Sequence, residues 1–266
     1  MSQKAIKTDE KKQHFDDIYV EQTPVPYKVR ILDALEYISD NFNKQMFDRL
    51  ILPWIQQQQQ QQQTAANENK ETIFRYVDLC ACFGNTTMAT VYGMNYHQIC
   101  ENWKDEESCK TIQASRRFPC HATAIDISEN AMAYGKTVGL FDDTIVCDLN
   151  SHGESKAAVL EAVRQADIMI STAALVYLDV TTIEELASAF SSSSTKEGYM
   201  LVNFLNPFSL DKADETKRIL LNHLDFVGSM ATRHRKMSQL EQENYPGEQW
   251  ALLELWVLKR RIVASK

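Results

Sequence analysis

The pattern of hydrophobic and polar positions divides the chain into an N-terminal helical part and a longer part in which two patterns alternate. Between residues 28 and 55, apolar side chains recur every three or four positions, as in a helix. They are Val29, Leu32, Leu35, Ile38, Phe42, Met46 and Leu50. Pro24 and Pro26 precede this region, where proline fixes the chain before a helix begins. The pattern predicts a helical segment over residues 24–55.

Beyond residue 70, short β-rich runs alternate with amphipathic stretches of helical length. The predicted strands are residues 74–79, 122–127, 143–147, 167–171 and 199–205, and the helices between them are 129–138, 156–165 and 183–190. Strands separated by helical crossovers indicate a mostly parallel sheet with helices on both faces. Two later runs, 226–232 and 251–261, lack a clear intervening helix, and we expect them to pair antiparallel at one edge. The predicted fold class is an α/β three-layer sandwich with a seven-stranded Rossmann-like sheet and an N-terminal helical cap.

Two further segments complete the predicted domain organisation. Residues 1–23 are charged and poorly patterned, which predicts a flexible tail. Eight consecutive glutamines, Gln56–Gln63, form either an interaction tract or an expanded loop. We favour a Gln-rich loop over residues 56–70, because surface loops absorb insertions at small entropic cost. Residues 71–266 then form the α/β domain.

Composition narrows the class of protein. With 28 Lys and Arg against 36 Asp and Glu, the formal net charge is −8. This charge disfavours nucleic acid as a partner, because phosphate binding depends on clustered basic side chains. The longest apolar stretch is too short to cross a bilayer, and the polar start lacks the apolar core of a secretory signal. We therefore expect a cytoplasmic protein with no membrane partner.

The six cysteines predict neither a disulfide framework nor a metal site. Disulfides belong to oxidising compartments, and the sequence gives no sign of export. Cys80 and Cys82 could form half of a metal site, but no second Cys/His pair stands at ligand spacing. A structural zinc site usually needs four ligands, so we expect no metal.

Acidic side chains follow three of the predicted strands. Asp78 opens the run Asp-Leu-Cys-Ala-Cys-Phe-Gly, a tight strand-to-helix turn that ends at Gly84. Asp126 ends the second strand and Asp148 follows the third. Because the carboxyl ends of parallel strands meet at one edge, we expect these acids to line a ligand site, with Asp126 placed to accept hydrogen bonds from ribose hydroxyls. The alternative is that all three only cap the helices that follow them.

On these residues the sequence resembles the class I S-adenosylmethionine-dependent methyltransferases. The resemblance covers roughly residues 74–178, and the strand pattern extends it to the C-terminus. It implies that residues 71–266 form a methyltransferase-like domain, which binds S-adenosylmethionine and transfers its methyl group to a small-molecule acceptor. More narrowly, the chain resembles a little-characterised subfamily of bacterial type, with an Asp-Leu-Cys-Cys-Ser-Tyr-Gly-like first motif and a Leu-Asp-Tyr-like phrase, here Leu35-Glu36-Tyr37.

The resemblance also implies roles for particular residues in cofactor binding. It places Asp126 at the ribose, Ile127 against the adenine and Ser171 at the strand end that borders the methyl-transfer site. The residues of the turn around the methionine part of the cofactor are Asp78, Cys80, Cys82 and Gly84, and those near the adenine amino group are Asp148 and Leu149.

The chain departs from the family pattern in two places. Cys80 and Cys82 stand where the common turn has glycines, and cysteine adopts a positive φ less easily than glycine. Either the turn is rebuilt or the affinity for the cofactor is lowered. In addition, Gly84 and Asp126 are 42 residues apart, about twice the spacing in a compact nucleotide-binding unit. The additional residues, 95–119, could form a lid, a partner surface or a plain surface insertion.

The acceptor side of the site is defined by fewer residues. Tyr27 and Tyr177 are candidate aromatic walls beside a sulfonium, which is attracted to aromatic faces. His234 is the candidate base for removing an acceptor proton. Its flanking residues, Arg233 and Arg235, could instead bind an acidic substrate, or the three residues could form a solvated basic turn.

Two other functions stay open at this point. One is a non-catalytic binding module whose cysteine-substituted turn has lost useful affinity for the cofactor. The other is a nicotinamide-dependent oxidoreductase, which is disfavoured because the turn lacks glycines in the order G-x-G-x-x-G.

Overall fold

A computed structural model describes residues 17–18, 20–64, 72–192, 196–208 and 210–262 of the protein. Most of the predicted tail, 1–23, lies outside these residues. The predicted cap is helical but broken into pieces, namely α1 (Val25–Tyr27), a π-helical turn (Lys28–Asp33), α2 (Ser39–Leu50) and α3 (Leu52–Thr64). Glu36 has a positive φ of 48° between the π-helical turn and α2, which breaks the helical path there. The buried side chains of α2 and α3 include Met46, Phe47, Trp54 and Ile55, which join the core under the cap.

The predicted glutamine-rich loop is wrong for its first part, because Gln56–Gln63 belong to α3. Glutamine is a good helix former, and the start of α3 is anchored by the buried side chains of Trp54 and Ile55. Once a first turn is fixed, each further residue adds to the helix at little cost. Residues 65–71 lie outside the described part of the chain.

The seven predicted strands form one sheet, which confirms the fold class. They are β1 (Phe74–Leu79), β2 (Cys120–Asp126), β3 (Asp143–Val146), β4 (Ile168–Ser171), β5 (Tyr199–Asn206), β6 (Leu224–Lys236) and β7 (Trp250–Arg260). Their order in the sheet is β3-β2-β1-β4-β5-β7-β6. Strands β1 to β5 are parallel, and β7 runs antiparallel to both β5 and β6. Strand β6 is longer than predicted, β7 begins and ends one residue earlier than predicted, and a short helix, α10 (Gln239–Asn244), lies between them.

Helices cover both faces of the sheet. The cap, α4 (Asn85–Thr90), α5 (Tyr96–Asn102) and α6 (Glu129–Thr137) enclose one apolar core, and α7 (Glu154–Gln165), α8 (Val180–Ser191) and α9 (Leu210–His223) enclose the other. Successive residues of β1 alternate between the two cores, as the strand repeat requires, so that Tyr76 joins the first and Val77 the second. No helix in the described ranges combines the length and apolar character needed to cross a membrane.

The insertion at residues 95–119 is packed against the cap. Trp103 is fully buried, and its indole N–H donates to the Tyr134 hydroxyl at 3.1 Å. The backbone N–H of Tyr96 donates to Asn41 Oδ1 at 2.9 Å, and the Tyr96 hydroxyl donates to the carbonyl of Leu32, also at 2.9 Å. The insertion therefore supports the cap from one side.

Candidate functional site

The order of the strands places a crevice at the carboxyl end of β1. The chain proceeds from β1 through β2 to β3 on one side of the sheet, and then continues with β4 and β5 on the other side of β1. In open parallel sheets, ligands bind beyond the strand ends where the order reverses in this way. Leu79 and Ser171 stand opposite each other as the last residues of β1 and β4, so the crevice begins just beyond them.

The turn after β1 holds three alternate residues in the left-handed region. Cys80 has a φ of 55°, Cys82 of 49° and Gly84 of 90°. The turn is therefore not rebuilt, and the two cysteines adopt positive φ where the common motif has glycines. A left-handed conformation costs a residue with a β-carbon about 1–2 kcal/mol. Gly84 is also required by packing, because a Cβ there would lie 2.3 Å from Leu140 Cδ2.

Asp126 holds this turn against β2. Its carboxylate accepts the backbone N–H of Cys82 at 2.8 Å and that of Ser128 at 2.9 Å. A carboxylate has about four acceptor positions, so capacity is left for ligand hydroxyls. Burial raises the pKa of Asp126, and the hydrogen bonds from backbone N–H groups oppose that effect.

The other predicted acids lie around the same turn. Asp78 is buried and accepts a hydrogen bond from the Thr87 hydroxyl at 2.6 Å. Burial raises the pKa of Asp78 to about 7, and the charges of Asp40 and Asp126 add to that rise. Burial also raises the pKa of the Cys80 thiol, with further contributions from Asp126, Asp78 and Asp148. The charges of all three acids predicted from the strand ends therefore act on the Cys80 thiol.

The remaining predicted cofactor residues differ in their surroundings. The side chain of Ile127 is 60% exposed directly after Asp126, and so offers an apolar surface beside the crevice. Leu149 is buried in the core against α7 and α8. Ser171 is fully buried at the end of β4, and its hydroxyl finds no hydrogen-bond partner within the described residues.

The two tyrosines predicted as aromatic walls occupy different places. The Tyr27 ring is buried, and its centroid lies 6.0 Å from that of Phe83 and 6.2 Å from that of Trp103. Tyr27 therefore packs the cap against the turn. Tyr177 lies in a 3-10 turn (Leu175–Tyr177) after β4, and its carbonyl accepts a hydrogen bond from Asn150.

His234 is buried on β6, so the alternative of a solvated basic turn is wrong. Strand β6 continues to Lys236, and α2 packs over it, which removes the imidazole from solvent. His234 Nδ1 lies 3.1 Å from the Ser39 hydroxyl, and its ring meets that of Tyr37 edge-on at 4.6 Å. Arg235 is also buried and forms a two-pronged ion pair with Glu241.

Two polar residues of α2 that sequence reasoning missed lie across the crevice. Asp40 accepts hydrogen bonds from Asn85 Nδ2 at 2.8 Å and from the Thr86 hydroxyl at 3.2 Å, both just after the turn. Three residues further on, Asn43 donates to the Thr172 hydroxyl at 3.1 Å, just beyond β4. The signal was available, because both residues continue the buried face of Met46 and Phe47 toward the start of α2. A polar residue on a buried helix face points to a functional or structural hydrogen bond.

Asn203 completes this polar wall at the carboxyl end of β5. It is buried, and its amide Nδ2 lies 3.4 Å from Asn43 Oδ1. Its Oδ1 accepts the backbone N–H of Ala173, which has a positive φ of 56°. The ends of β4 and β5 and the cap helix α2 are thus joined by side-chain amides.

The site carries negative charge that the protein does not neutralise. Asp40, Asp78 and Asp126 are all at least nine-tenths buried, and no lysine, arginine or histidine of the described residues forms an ion pair with any of them. Burial raises the pKa of Asp40 to about 6, an effect that the hydrogen bonds from Asn85 and Thr86 oppose. Burying unpaired carboxylates is costly, so this arrangement favours a ligand that brings positive charge.

The cysteines and acids of the site do not assemble a metal centre in the part of the chain that the structure describes. No group of three or more His, Cys, Asp or Glu side chains there is arranged to hold a metal ion.

Comparison with known proteins gives similarity of fold only. No family model and no curated protein sequence matches the chain. The chain is similar to N-methyltransferase NodS from Bradyrhizobium japonicum WM9 in complex with S-adenosylhomocysteine, with 11% identity over 95% of this chain and 99% of that one and a TM-score of 0.45. Magnesium protoporphyrin IX methyltransferase from Synechocystis PCC 6803 with bound S-adenosylmethionine matches with 12% identity, over 82% of this chain and 79% of that one, and a TM-score of 0.41. Since these TM-scores are below 0.5, the functional conclusion depends on the contacts described above.

Proposed function

We propose that the protein is an S-adenosylmethionine-dependent methyltransferase that acts on a small molecule. The observation that carries the proposal is the pair of buried, unpaired carboxylates of Asp78 and Asp126 around the left-handed turn at the end of β1. The cofactor has two positive groups, a sulfonium and an α-ammonium, together with ribose hydroxyls that donate hydrogen bonds. Each of these groups is complementary to a carboxylate.

The residues at the crevice suit the parts of the cofactor in turn. Asp126 has acceptor capacity left for ribose hydroxyls, and exposed Ile127 offers an apolar face to the adenine. The backbone of the turn through Cys80, Cys82 and Gly84 would lie close to the methionine part of the cofactor. Asp78, beside this turn, would bind the α-ammonium group of the methionine part. When bound, the cofactor supplies an electrophilic methyl group on a positively charged sulfur. The task of the protein is then to align the acceptor with that group, which supplies much of the acceleration in such a displacement.

The two rival functions have less support. A binding module without activity was suggested by the cysteine-substituted turn, but the turn keeps its left-handed pattern. A nicotinamide-dependent oxidoreductase would bring two phosphates to a site whose nearest charged groups are carboxylates, which repel them. A cytoplasmic location and the absence of nucleic-acid and membrane partners remain predictions from the sequence and belong to this proposal.

Calorimetric titration of the purified protein with S-adenosylmethionine, S-adenosylhomocysteine and NADH tests the proposal. We expect micromolar binding of the first two and none of NADH. The Asp126→Ala variant should bind S-adenosylhomocysteine about 10- to 100-fold more weakly, because a hydrogen bond to a charged group contributes about 1.5–3 kcal/mol. Asp126→Asn, which keeps the size of the side chain, should show a loss in the same direction.

Asp225→Ala is the control for this titration. Asp225 is exposed at the start of β6, at the opposite end of the sheet from the crevice, so its removal should leave the dissociation constant unchanged. Unchanged affinity in a folded Asp126 variant, or binding of NADH alone, would contradict the proposed function.

A further inference from the structure

Helix α2 carries a buried carboxylate, Asp40, to which the proposed cofactor-binding mode assigns no role. In the proposed function, Asp126 binds the ribose hydroxyls and Asp78 binds the α-ammonium group. Asp40 instead belongs to the cap helix α2 and contacts the first residues of α4. We infer that Asp40 is the binding group for the acceptor, and that the acceptor is an amine received in its positively charged form. This inference rests on the proposed function and names the substrate class of the same site.

The position of Asp40 between the two walls of the crevice supports this role. Its carboxylate accepts from Asn85 and Thr86, the first two residues of α4 after the turn. One helical turn along α2, Asn43 contacts Thr172 at the end of β4, and Asn203 contacts Asn43 from the end of β5. The Asp40 carboxylate therefore lies just beyond the turn, one helical turn along α2 from the contacts of Asn43 with Thr172 and Asn203. In the proposed function, the cofactor would deliver its methyl group in this region.

The charges around this position favour a cation over an anion. The donors that contact Asp40 are neutral amide and hydroxyl groups, and burial leaves its carboxylate without a counter-ion in the described structure. The arginines that the sequence suggested for an acidic substrate are used elsewhere. Arg235 is paired with Glu241, and the guanidinium of Arg233 lies 4.9 Å above the Trp250 ring. An acceptor with a carboxylate or phosphate at its reacting end would be repelled by the Asp40 carboxylate.

Tyr37, Ser39 and His234 form a buried group next to Asp40 on the cap side of the crevice. The Tyr37 phenol is hydrogen-bonded with Ser39 and Asn85, and Ser39 in turn contacts His234. Burial raises the pKa of Tyr37, so the phenol keeps its proton and can orient the acceptor only as a neutral group. The aromatic faces of Tyr37 and His234 suit the carbon atoms next to an ammonium nitrogen.

The proton balance of the transfer is consistent with this assignment. An ammonium nitrogen has no free electron pair, so one proton must first move from that nitrogen to the Asp40 carboxylate. The free pair then forms the new N–C bond, while the C–S bond breaks and its electron pair stays on sulfur. The product leaves as a methylated ammonium, and the proton on Asp40 returns to solvent. Burial raises the pKa of Asp40 to about 6, close to the range in which a general base operates.

A comparison of two ligands tests the inference without a known acceptor. S-Adenosylhomocysteine has no group at the position of the transferable methyl, and its analogue sinefungin has an ammonium group there. We expect the wild-type protein at pH 8 to bind sinefungin about 10-fold or more tightly than S-adenosylhomocysteine, since about 1.4 kcal/mol corresponds to tenfold. In Asp40→Asn, which keeps the shape of the side chain, the ratio of the two dissociation constants should fall toward one.

Asp78→Asn is the matched control. Asp78 is beside the part that both ligands share, so this variant should weaken both equally and keep their ratio. Equal affinity of the wild type for the two ligands, or an unchanged ratio in Asp40→Asn, would overturn the inference while leaving the cofactor proposal in place. If neither ligand binds, the proposed function fails and this inference falls with it. Because the wild-type ratio is decisive alone, the test does not depend on the folding of the variant.

Discussion

In the turn after β1, Cys80 and Cys82 have positive φ angles, which residues with a β-carbon rarely adopt. Hydrogen bonds to the backbone of the turn hold it in this conformation. Asp126 holds the backbone N–H of Cys82, and the N–H of Ala81 donates to the carbonyl of Ile125, so the turn is tied to β2 at two points. Backbone strain of about 1–3 kcal/mol persists only where surrounding contacts over-determine the conformation. The turn therefore has its shape before any ligand arrives, which lowers the entropic cost of binding.

Replacement of Cys82 by glycine tests this account of the turn. Glycine relieves the strain at a φ of 49° but adds freedom to the unfolded chain. Cys82→Gly should therefore equal or exceed the wild type in stability by up to about 1 kcal/mol, and it should keep or improve the affinity for S-adenosylmethionine. Thermal unfolding and calorimetric titration measure the two effects.

Cys82→Ala is the comparison variant, because it removes the thiol and keeps the β-carbon. It should be no more stable than the wild type. A large loss of affinity in both variants would show that the thiol has a role of its own, which the backbone account does not include.

At the residue level, the acids at strand ends could be predicted, and the helical pattern also places the polar residues of the cap on a buried face, but their hydrogen-bond partners could not be predicted. Asp78, Asp126 and Asp148 follow hydrophobic runs, so their place at one edge of the sheet follows from the strand pattern. Asp40 and Asn43 lie on a helix whose contacts depend on tertiary packing, 45 and 129 residues from Asn85 and Thr172. At such sequence separations, the local sequence carries no information about which residue is the hydrogen-bond partner.

Helix α3 shows how one element can combine two sequence textures. Its first turn contains Trp54, whose ring is 5.4 Å from that of Phe74 and 5.0 Å from that of Tyr199 at the starts of β1 and β5. Its continuation is glutamine, a residue with good helix propensity that periodicity alone cannot recognise as helical. Prediction from apolar spacing therefore ended the helix too early.

The two parts of α3 should differ in their contribution to stability. Trp54→Ala removes a buried ring and should lower the free energy of unfolding by about 3–5 kcal/mol. Gln57→Ala, at an exposed position in the same helix, should change it by less than about 0.5 kcal/mol. Urea denaturation of the two variants gives both values, and a similar loss in both would mean that the glutamines also hold α3 in place.

Among the strands, β6 had the least accurate predicted bounds, 226–232 against Leu224–Lys236 in the structure. Strand β6 is 13 residues long, and much of its middle is exposed because it forms the edge of the sheet. Polar residues at the edge, such as Thr232 and Arg233, interrupt the hydrophobic pattern from which a strand is predicted. The continuation of β6 through His234 is fixed by its pairing with β7 instead.

For the whole molecule, the strand repeat and the helical crossovers gave the fold class, whereas the strand order requires contacts between distant parts of the chain. Five parallel strands follow from five β-rich runs with helices between them. That β1 lies between β2 and β4, and that β7 lies between β5 and β6, is decided by packing over the whole sheet. The sequence predicted an antiparallel pair of strands at one edge of the sheet but no strand order.

The buried acids of the crevice make the stability of the whole molecule depend on pH. The pKa of Asp78 is raised from 3.8 to about 7 and that of Asp40 to about 6, whereas both are near 3.8 in the unfolded chain. Between these values the folded state binds more protons than the unfolded state, so the free energy of unfolding falls as pH rises from about 4 to about 7. The contribution of Asp40 and Asp78 should therefore give the ligand-free protein a higher melting temperature at pH 5 than at pH 8.

Asp78→Asn isolates this effect. A neutral amide has no charge to bury, so the variant should be more stable than the wild type at pH 8, and this advantage should shrink toward pH 5. One pKa unit is worth about 1.4 kcal/mol, which makes the expected difference a few kcal/mol. The other titratable groups nearby, Asp126, Tyr37 and His234, are present in both proteins, and thermal melts at the two pH values measure the difference. A variant less stable than the wild type at both pH values would contradict the sign.

The contact between Ser39 and His234 joins positions 195 residues apart, and the backbone N–H of Ile38 donates to the carbonyl of His234 beside it. During synthesis, at about 5–20 residues per second, the turn after β1 and its neighbours β2 to β5 are complete before β6 leaves the ribosome. A nascent chain at that stage contains the residues proposed to hold the cofactor and lacks His234 and the rest of β6. In the proposed function, the residues that bind the cofactor are thus synthesised before the strand that completes the surroundings of the proposed acceptor-binding residue, Asp40.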